Sequence, residues 1–150
     1  MIKKITIRKI ISWEPCYTED QIKEFWKHAG LKRSATPLEI AQCNYEKKTD
    51  LLWILLREEI IPTRELHLLA CTFAEAALMA ERKAGREPHH DSWNAIKVKR
   101  LWVDGKATDE ELNAAGNAAG SAAWNAAWNA AESAAESKQL KHVIKILEVL

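Results

Sequence analysis

The sequence is short of cysteine, of long apolar runs and of any imbalance of charge, and each shortage removes a class of protein. Cys16, Cys43 and Cys71 are the only three cysteines in 150 residues. They are odd in number, far apart and without a CxxC pair, which speaks against a disulfide framework or a thiolate zinc site and for reduced thiols in the cytoplasm. No apolar stretch reaches the roughly 20 residues of a membrane span, and the start, MIKKITIRKIISW, has basic residues without the uninterrupted apolar run of a signal peptide. Twenty-two Lys and Arg against 21 Asp and Glu leave a net charge of +1, so no global field draws the chain to nucleic acid or to a membrane. Also missing are GxSxG, HExxH and a phosphate-cradling Gly loop. Acid pairs such as Glu58-Glu59 and Glu110-Glu111 are consecutive and face different ways on a helix. The residues therefore assign no catalytic group and no cofactor, and the expectation is a protein that is not an enzyme.

What is present is dominated by one stretch, LNAAGNAAGSAAWNAAWNAAESAAES, residues 112–137. Ala pairs recur every four residues, each followed by one variable residue and by Asn or Ser. Without β-branched residues or Pro, and with Ala the best helix former, this stretch predicts a helix. A repeat of four exceeds the helical 3.6, so the small-residue stripe advances by roughly 40° per repeat and winds around the rod. The variable position runs Gly116, Gly120, Trp124, Trp128, Glu132, Glu136. That order predicts close backbone approach at the first end, bulky packing in the middle and a wet face near the end.

The remainder reads as a succession of helices. Residues 1–13 allow a short helix after Thr6 or an extended arm. Thr18 with Gln21 forms a capping-box pattern opening helix 19–28, ended by Gly30. Thr36-Pro37 opens a short helix to about Gln42. Leu51 to Leu55 are apolar almost without a break, predicting a core helix over 46–59 rather than a central strand over 51–56. Helix 64–84 follows Pro62 and Thr63, with two apolar stripes. Asp91 caps a helix over 92–104 that ends at Gly105, and Thr108 caps the Ala-rich rod, with three acids in its first turn. Residues 138–150 form an amphipathic helix that extends the rod or folds back. The fold expected is all-α: a single-domain bundle over 1–150, organised around a central Ala-rich helix at about 108–137. Residues 46–137 supply its core, and 1–45 form a less defined subregion.

Two constellations carry candidate chemistry. His67, Cys71 and Glu75 stand at i, i+4 and i+8 on one helix face, as metal ligands would, although the set is incomplete and a buried Cys with a hydrogen-bonded His in a core helix is the favoured reading. His89, His90 and Asp91 would complete a shell if their loop covered that face. Arg86, His89, His90, Trp93 and Arg100, with Asn125 and Asn129 from the rod, combine cations, rings and amides in a way that suits a nucleotide-like anion. The competing reading places Trp102 in the core and Lys97 and Lys99 on a solvated face.

The block Asp91, Trp93, Ala95, Ile96, Trp102, Gly105, Ala107, Thr108, Glu111, Leu112, followed by the Ala ladder, resembles a family of small bacterial and phage immunity proteins that end in an Ala-rich, Trp-dotted helix. The resemblance spans about residues 50 to 135. It implies a non-enzymatic cytoplasmic protein that neutralises a toxin or defence protein by occluding its surface. Sequestration of a small anionic ligand is the alternative. The small-residue rod and the C-terminal amphipathic segment would also allow a homodimer.

Overall fold

The computed structural model describes residues 2–129 and 133–150, and the side chains of 2–120 and 136–150. Among the described residues the protein is all-α, with eight helices and no strand. The chain falls into two compact units, residues 1–62 with 136–150 and residues 63–135.

The first unit holds α1 (Ile7–Ile11), α2 (Glu19–His28), α3 (Pro37–Gln42) and α4 (Lys48–Leu55). These helices are five to ten residues long, too short to persist alone in water, so caps and packing hold them. Thr6 resolves the ambiguity at the N-terminus in favour of a helix: its hydroxyl accepts from the Lys9 amide at 3.2 Å. Thr18 with Gln21 and Thr36 with Glu39 form complete capping boxes, each satisfying two amides that a helix start leaves orphaned. Between helices, Ile5 and Ala35 exchange both backbone hydrogen bonds, at 2.7 and 2.9 Å, in an isolated antiparallel bridge, and both side chains are buried.

Helix α4 is the apolar centre of this unit. Leu51, Leu52, Ile54 and Leu55 are buried, but Trp53 is 41% exposed, so the segment is not interior all round. It is also shorter than the expected 46–59. Leu56 leaves the helical region and its amide closes onto Leu52 O. The tight turn that follows, with the Ile60 and Ile61 amides both donating to Arg57 O, inserts Ile60 and Ile61 into the core.

The second unit packs α5 (Thr63–Lys83), α6 (His90–Val103) and α7 (Asp109–Asn129) on one another. Gly85 and Gly105, at φ of +80° and +69°, end α5 and α6. The following residues, Arg86 and Lys106, donate their amides back to Glu81 O and Leu101 O, a closure that needs the left-handed conformation Gly adopts without strain. Helix α5 is one-sided rather than interior: Leu69, Cys71, Ala77 and Leu78 are buried, whereas Ala70, Ala74 and Ala80 face outward. Helix α6 starts two residues earlier than expected, and its cap is His89, not Asp91. Helix α8 (Ser133–Leu147) carries the C-terminal amphipathic segment, with Leu140 and Val143 buried.

The Ala ladder departs from expectation where its side chains are described. Only the second Ala of each pair, Ala115 and Ala119, is buried. Gly116 and Gly120 are exposed, and a methyl group on either would meet none of the described residues within 4 Å, so none of these crosses closely there. Over one repeat a 40° drift is too small to carry the stripe off its face, which is why Ala115 and Ala119 share one side. Trp124 and Trp128, read as mid-rod packing, and Asn125 and Asn129 have side chains outside the described residues.

These glycines give up helix propensity without any return in packing. Gly116→Ala and Gly120→Ala should each stabilise the protein by about 0.5–1 kcal/mol, read as a rise in urea midpoint at unchanged slope. Loss of stability in both variants would mean that these positions are covered.

Candidate functional site

The sequence points to the second unit, and there the structure places the cations against acids. The Arg86 guanidinium grips Glu81 at 2.6 and 3.0 Å and holds that carboxyl below its ordinary range. Arg82 does the same to Glu87 at 2.8 and 2.5 Å while lying 4.8 Å from the centre of the Trp93 ring. Arg100 reaches Glu75 at 2.8 Å. An anion arriving here would compete with a carboxylate already paired with each of these three arginines.

The suggested ligand face on α5 is also divided among other partners. Glu75 is the acid held by Arg100, and His67 sits edge-on to Trp102 at 5.3 Å. Cys71 is buried, and burial raises its thiol above the ordinary value. Trp102 is half-buried rather than core: its indole N–H donates to Asp109 at 2.6 Å, and Lys99 lies 3.9 Å from the centre of its ring. The residues that do converge are His89, His90 and Asp91, whose ligand atoms lie within 4.8 Å of one another, the only such group among the described residues. Two polar atoms beside them on α6, Ser92 Oγ and Trp93 Nε1, are buried without a partner.

The larger cavity lies in the first unit, where the sequence reading placed no site. It measures about 600 Å³. Its apolar lining comes from Ile10, Ile22 and Ile54, all buried, one from each of α1, α2 and α4. Four rings line it as well: Tyr17, Phe25, Tyr45 and Trp53. Asp50, in the first turn of α4, ties two of them together by accepting from Tyr17 Oη at 3.0 Å and from Tyr45 Oη at 3.4 Å. Phe25 meets Tyr45 edge to face at 4.6 Å, and Lys48 Nζ donates to the carbonyl of Tyr45. Glu24, Glu46 and Asp50 stand against a single Lys47 and the imidazole of His28 in the lining, so the cleft is acidic as well as aromatic.

The Trp53 ring also takes part in a stack. It lies edge-on to Trp13 at 6.4 Å, and the Arg57 guanidinium sits 4.1 Å from the centre of the Trp53 ring and 4.3 Å from that of Trp13. Arg57 Nε is buried without a partner, and burial pushes the group below its ordinary pKa. Glu59 fixes Trp13 from the other side, accepting its indole N–H at 3.2 Å and Lys9 Nζ at 3.0 Å. This protein thus already holds one guanidinium against Trp53 by π-face attraction.

Comparison with protein-family models, curated proteins and solved structures found no match to the chain.

The Asp50 contact has a measurable consequence. The hydrogen bond to Asp50, reinforced by its negative charge, raises the Tyr17 phenol above its ordinary value. Tyr45 is raised first by burial and then by Asp50. Asp50→Asn removes the charge, so the tyrosinate absorbance of these two residues, the only tyrosines in the chain, should appear at lower pH than in the parent. An unchanged alkaline titration would contradict the Tyr17–Asp50–Tyr45 arrangement.

Proposed function

We propose that the protein is a binding protein without a reaction of its own, that it acts by occluding a protein partner, and that the cleft of the first unit is its contact surface. The observation that carries this reading is the pairing of open aromatic rings with unneutralised acids. Trp53 and Tyr17 are 41% and 45% exposed in a cleft holding three carboxylates against one lysine. Large rings that stand open beside acids are characteristic of interaction sites. The volume falls in the range of ligand-binding clefts.

The occupant these groups fit is a basic side chain, Arg above all, presented by a segment of the partner. Its guanidinium would stack on a ring and pair with a carboxylate, as Arg57 already stacks on Trp53. Neutralisation of a toxin or defence protein is the setting that the immunity-protein resemblance implies. That resemblance covers residues 50 to 135, whereas the cleft draws on 10 to 54, so the support comes from the cleft's own chemistry. Sequestration of an anion fits less well, because Arg82, Arg86 and Arg100 are each closed onto an acid.

Titration of the protein with an oligo-arginine peptide, followed by calorimetry, tests this reading. Saturable binding is expected, weakened by salt and by Asp50→Asn. Trp53→Ala should cost about 1 kcal/mol, roughly fivefold in Kd. An oligo-glutamate peptide should not bind. Equal affinity of the parent and Trp53→Ala, or preference for the acidic peptide, would overturn the assignment.

A further inference from the structure

Consecutive residues on a regular helix diverge by roughly 100°, so three in a row do not ordinarily converge on one point. At the start of α6 they do, because the first of them is not helical. His89 is the N-cap, with extended backbone at φ −60° and ψ 143°, and this turn brings its ring back over the first helical turn. His89 Nδ1 reaches Asp91 Oδ2 at 3.1 Å, and His90 Nε2 reaches Asp91 Oδ1 at 2.9 Å. The two imidazoles lie 4.4 Å apart, centre to centre. One carboxylate therefore lies within reach of two ring nitrogens, of which His89 Nδ1 also caps the helix by accepting the Asp91 amide at 3.4 Å, at a corner of the second unit open to solvent, the His side chains being 58% and 81% exposed.

We propose that His89, His90 and Asp91 form a three-ligand site for a divalent transition-metal ion of the zinc or nickel type. Ligand atoms around an ion with bonds of about 2.1 Å in tetrahedral array stand roughly 3.4 Å apart. Each ring nitrogen already lies a few tenths of an ångström inside that figure from one of the two Asp91 oxygens, His89 Nδ1 from Oδ2 and His90 Nε2 from Oδ1, and one ligand atom from each of the three residues falls within 4.8 Å of the others. Small rotations of exposed side chains open the site to the full bond length. The backbone anchoring is set by the cap and by the first helical turn, so the ligands converge without ordering a loop. Two imidazole nitrogens and one carboxylate oxygen select zinc, nickel or copper(II) over magnesium and calcium, which take all-oxygen shells. Asp91 supplies the negative charge that offsets the positive end of the helix dipole. Three protein ligands leave at least one coordination position for water or for a donor from another molecule. The site shares no residue with the cleft of the first unit and does not depend on that cleft's function.

Calorimetric titration of the untagged full chain with zinc chloride, and separately with nickel chloride, tests the site. One ion per chain with micromolar affinity is expected, and magnesium chloride should give no heat of binding. His90→Ala and Asp91→Asn should each weaken zinc by about tenfold or more. Because His90 is exposed, its removal should leave the melting temperature in the absence of metal unchanged. His89→Asn keeps a capping side chain and should weaken zinc equally. Cys71→Ser should have no effect. Zinc binding that survives both His90→Ala and His89→Asn, or that disappears in Cys71→Ser, would overturn the proposal, as would the absence of stoichiometric binding by the parent.

Discussion

Burial of Leu51, Leu52, Ile54 and Leu55 within two successive turns of α4 is the constraint on which the first unit depends. The helices around it are too short to hold themselves, so each gains its place by packing, α1 on α2 and α3 on α4, and by having its start capped. At roughly 100° per residue, positions 51, 52, 54 and 55 share one face of about 160°, and the residue between them falls on the opposite face. Trp53 is that residue. Its exposure is thus a product of core packing, and it places a large ring on the wall of the cavity that Ile10, Ile22 and Ile54 line. Asp50, one turn before, is carried to the same wall and collects both tyrosines. The site and the core are two faces of one helix.

The helix boundaries were legible in the residues wherever a cap was local. Thr18 with Gln21, Thr36-Pro37, Gly30, Gly85, Gly105 and Thr108 all mark ends that the structure keeps, because the partners of each cap lie within a few residues. The start of α6 was not legible, since Asp91 is the better cap by composition and His89 wins only through the conformation of the loop that delivers it. The cleft was illegible for a deeper reason. Tyr17, Phe25, Tyr45 and Trp53 come from four separate segments, and only packing joins them. One signal was available: an indole at position 53 within an otherwise buried run, which had to point somewhere. The resemblance to immunity proteins touches the cleft only at Asp50, Trp53 and Ile54, and its motif residues, from Asp91 on, gave no help there.

Over residues 113–120, where its side chains are described, the Ala ladder shows that regularity in a sequence does not by itself bring burial. Small residues permit close packing, but they do not require it, and Gly116 and Gly120 stand open to solvent. Ala115 and Ala119 suffice to seat this part of α7 in the second unit. A helix built mostly from Ala keeps its shape through propensity, so it needs less tertiary burial than the Leu-rich helices do. Over residues 113–120 its regularity serves helix formation more than close packing.

The same distinction between presence and availability moves the candidate site from one unit to the other. Counted along the sequence, the cations between Arg82 and Lys106 outnumber those in any comparable stretch of charged and aromatic residues, and an anion is the natural guess. In space, Arg82, Arg86 and Arg100 are spoken for by Glu87, Glu81 and Glu75. Such exposed pairs add little to stability, yet each one must be broken before its guanidinium can serve a ligand. The acids of the first unit's cleft face the opposite situation. Asp50 accepts only from neutral phenols, and a hydroxyl donor leaves the negative charge in place. A carboxylate that is hydrogen-bonded but not neutralised, set beside open π-faces, attracts a cation from outside the molecule. In the binding role proposed above, charge that remains unpaired after folding, rather than charge that is abundant in the chain, would select the partner.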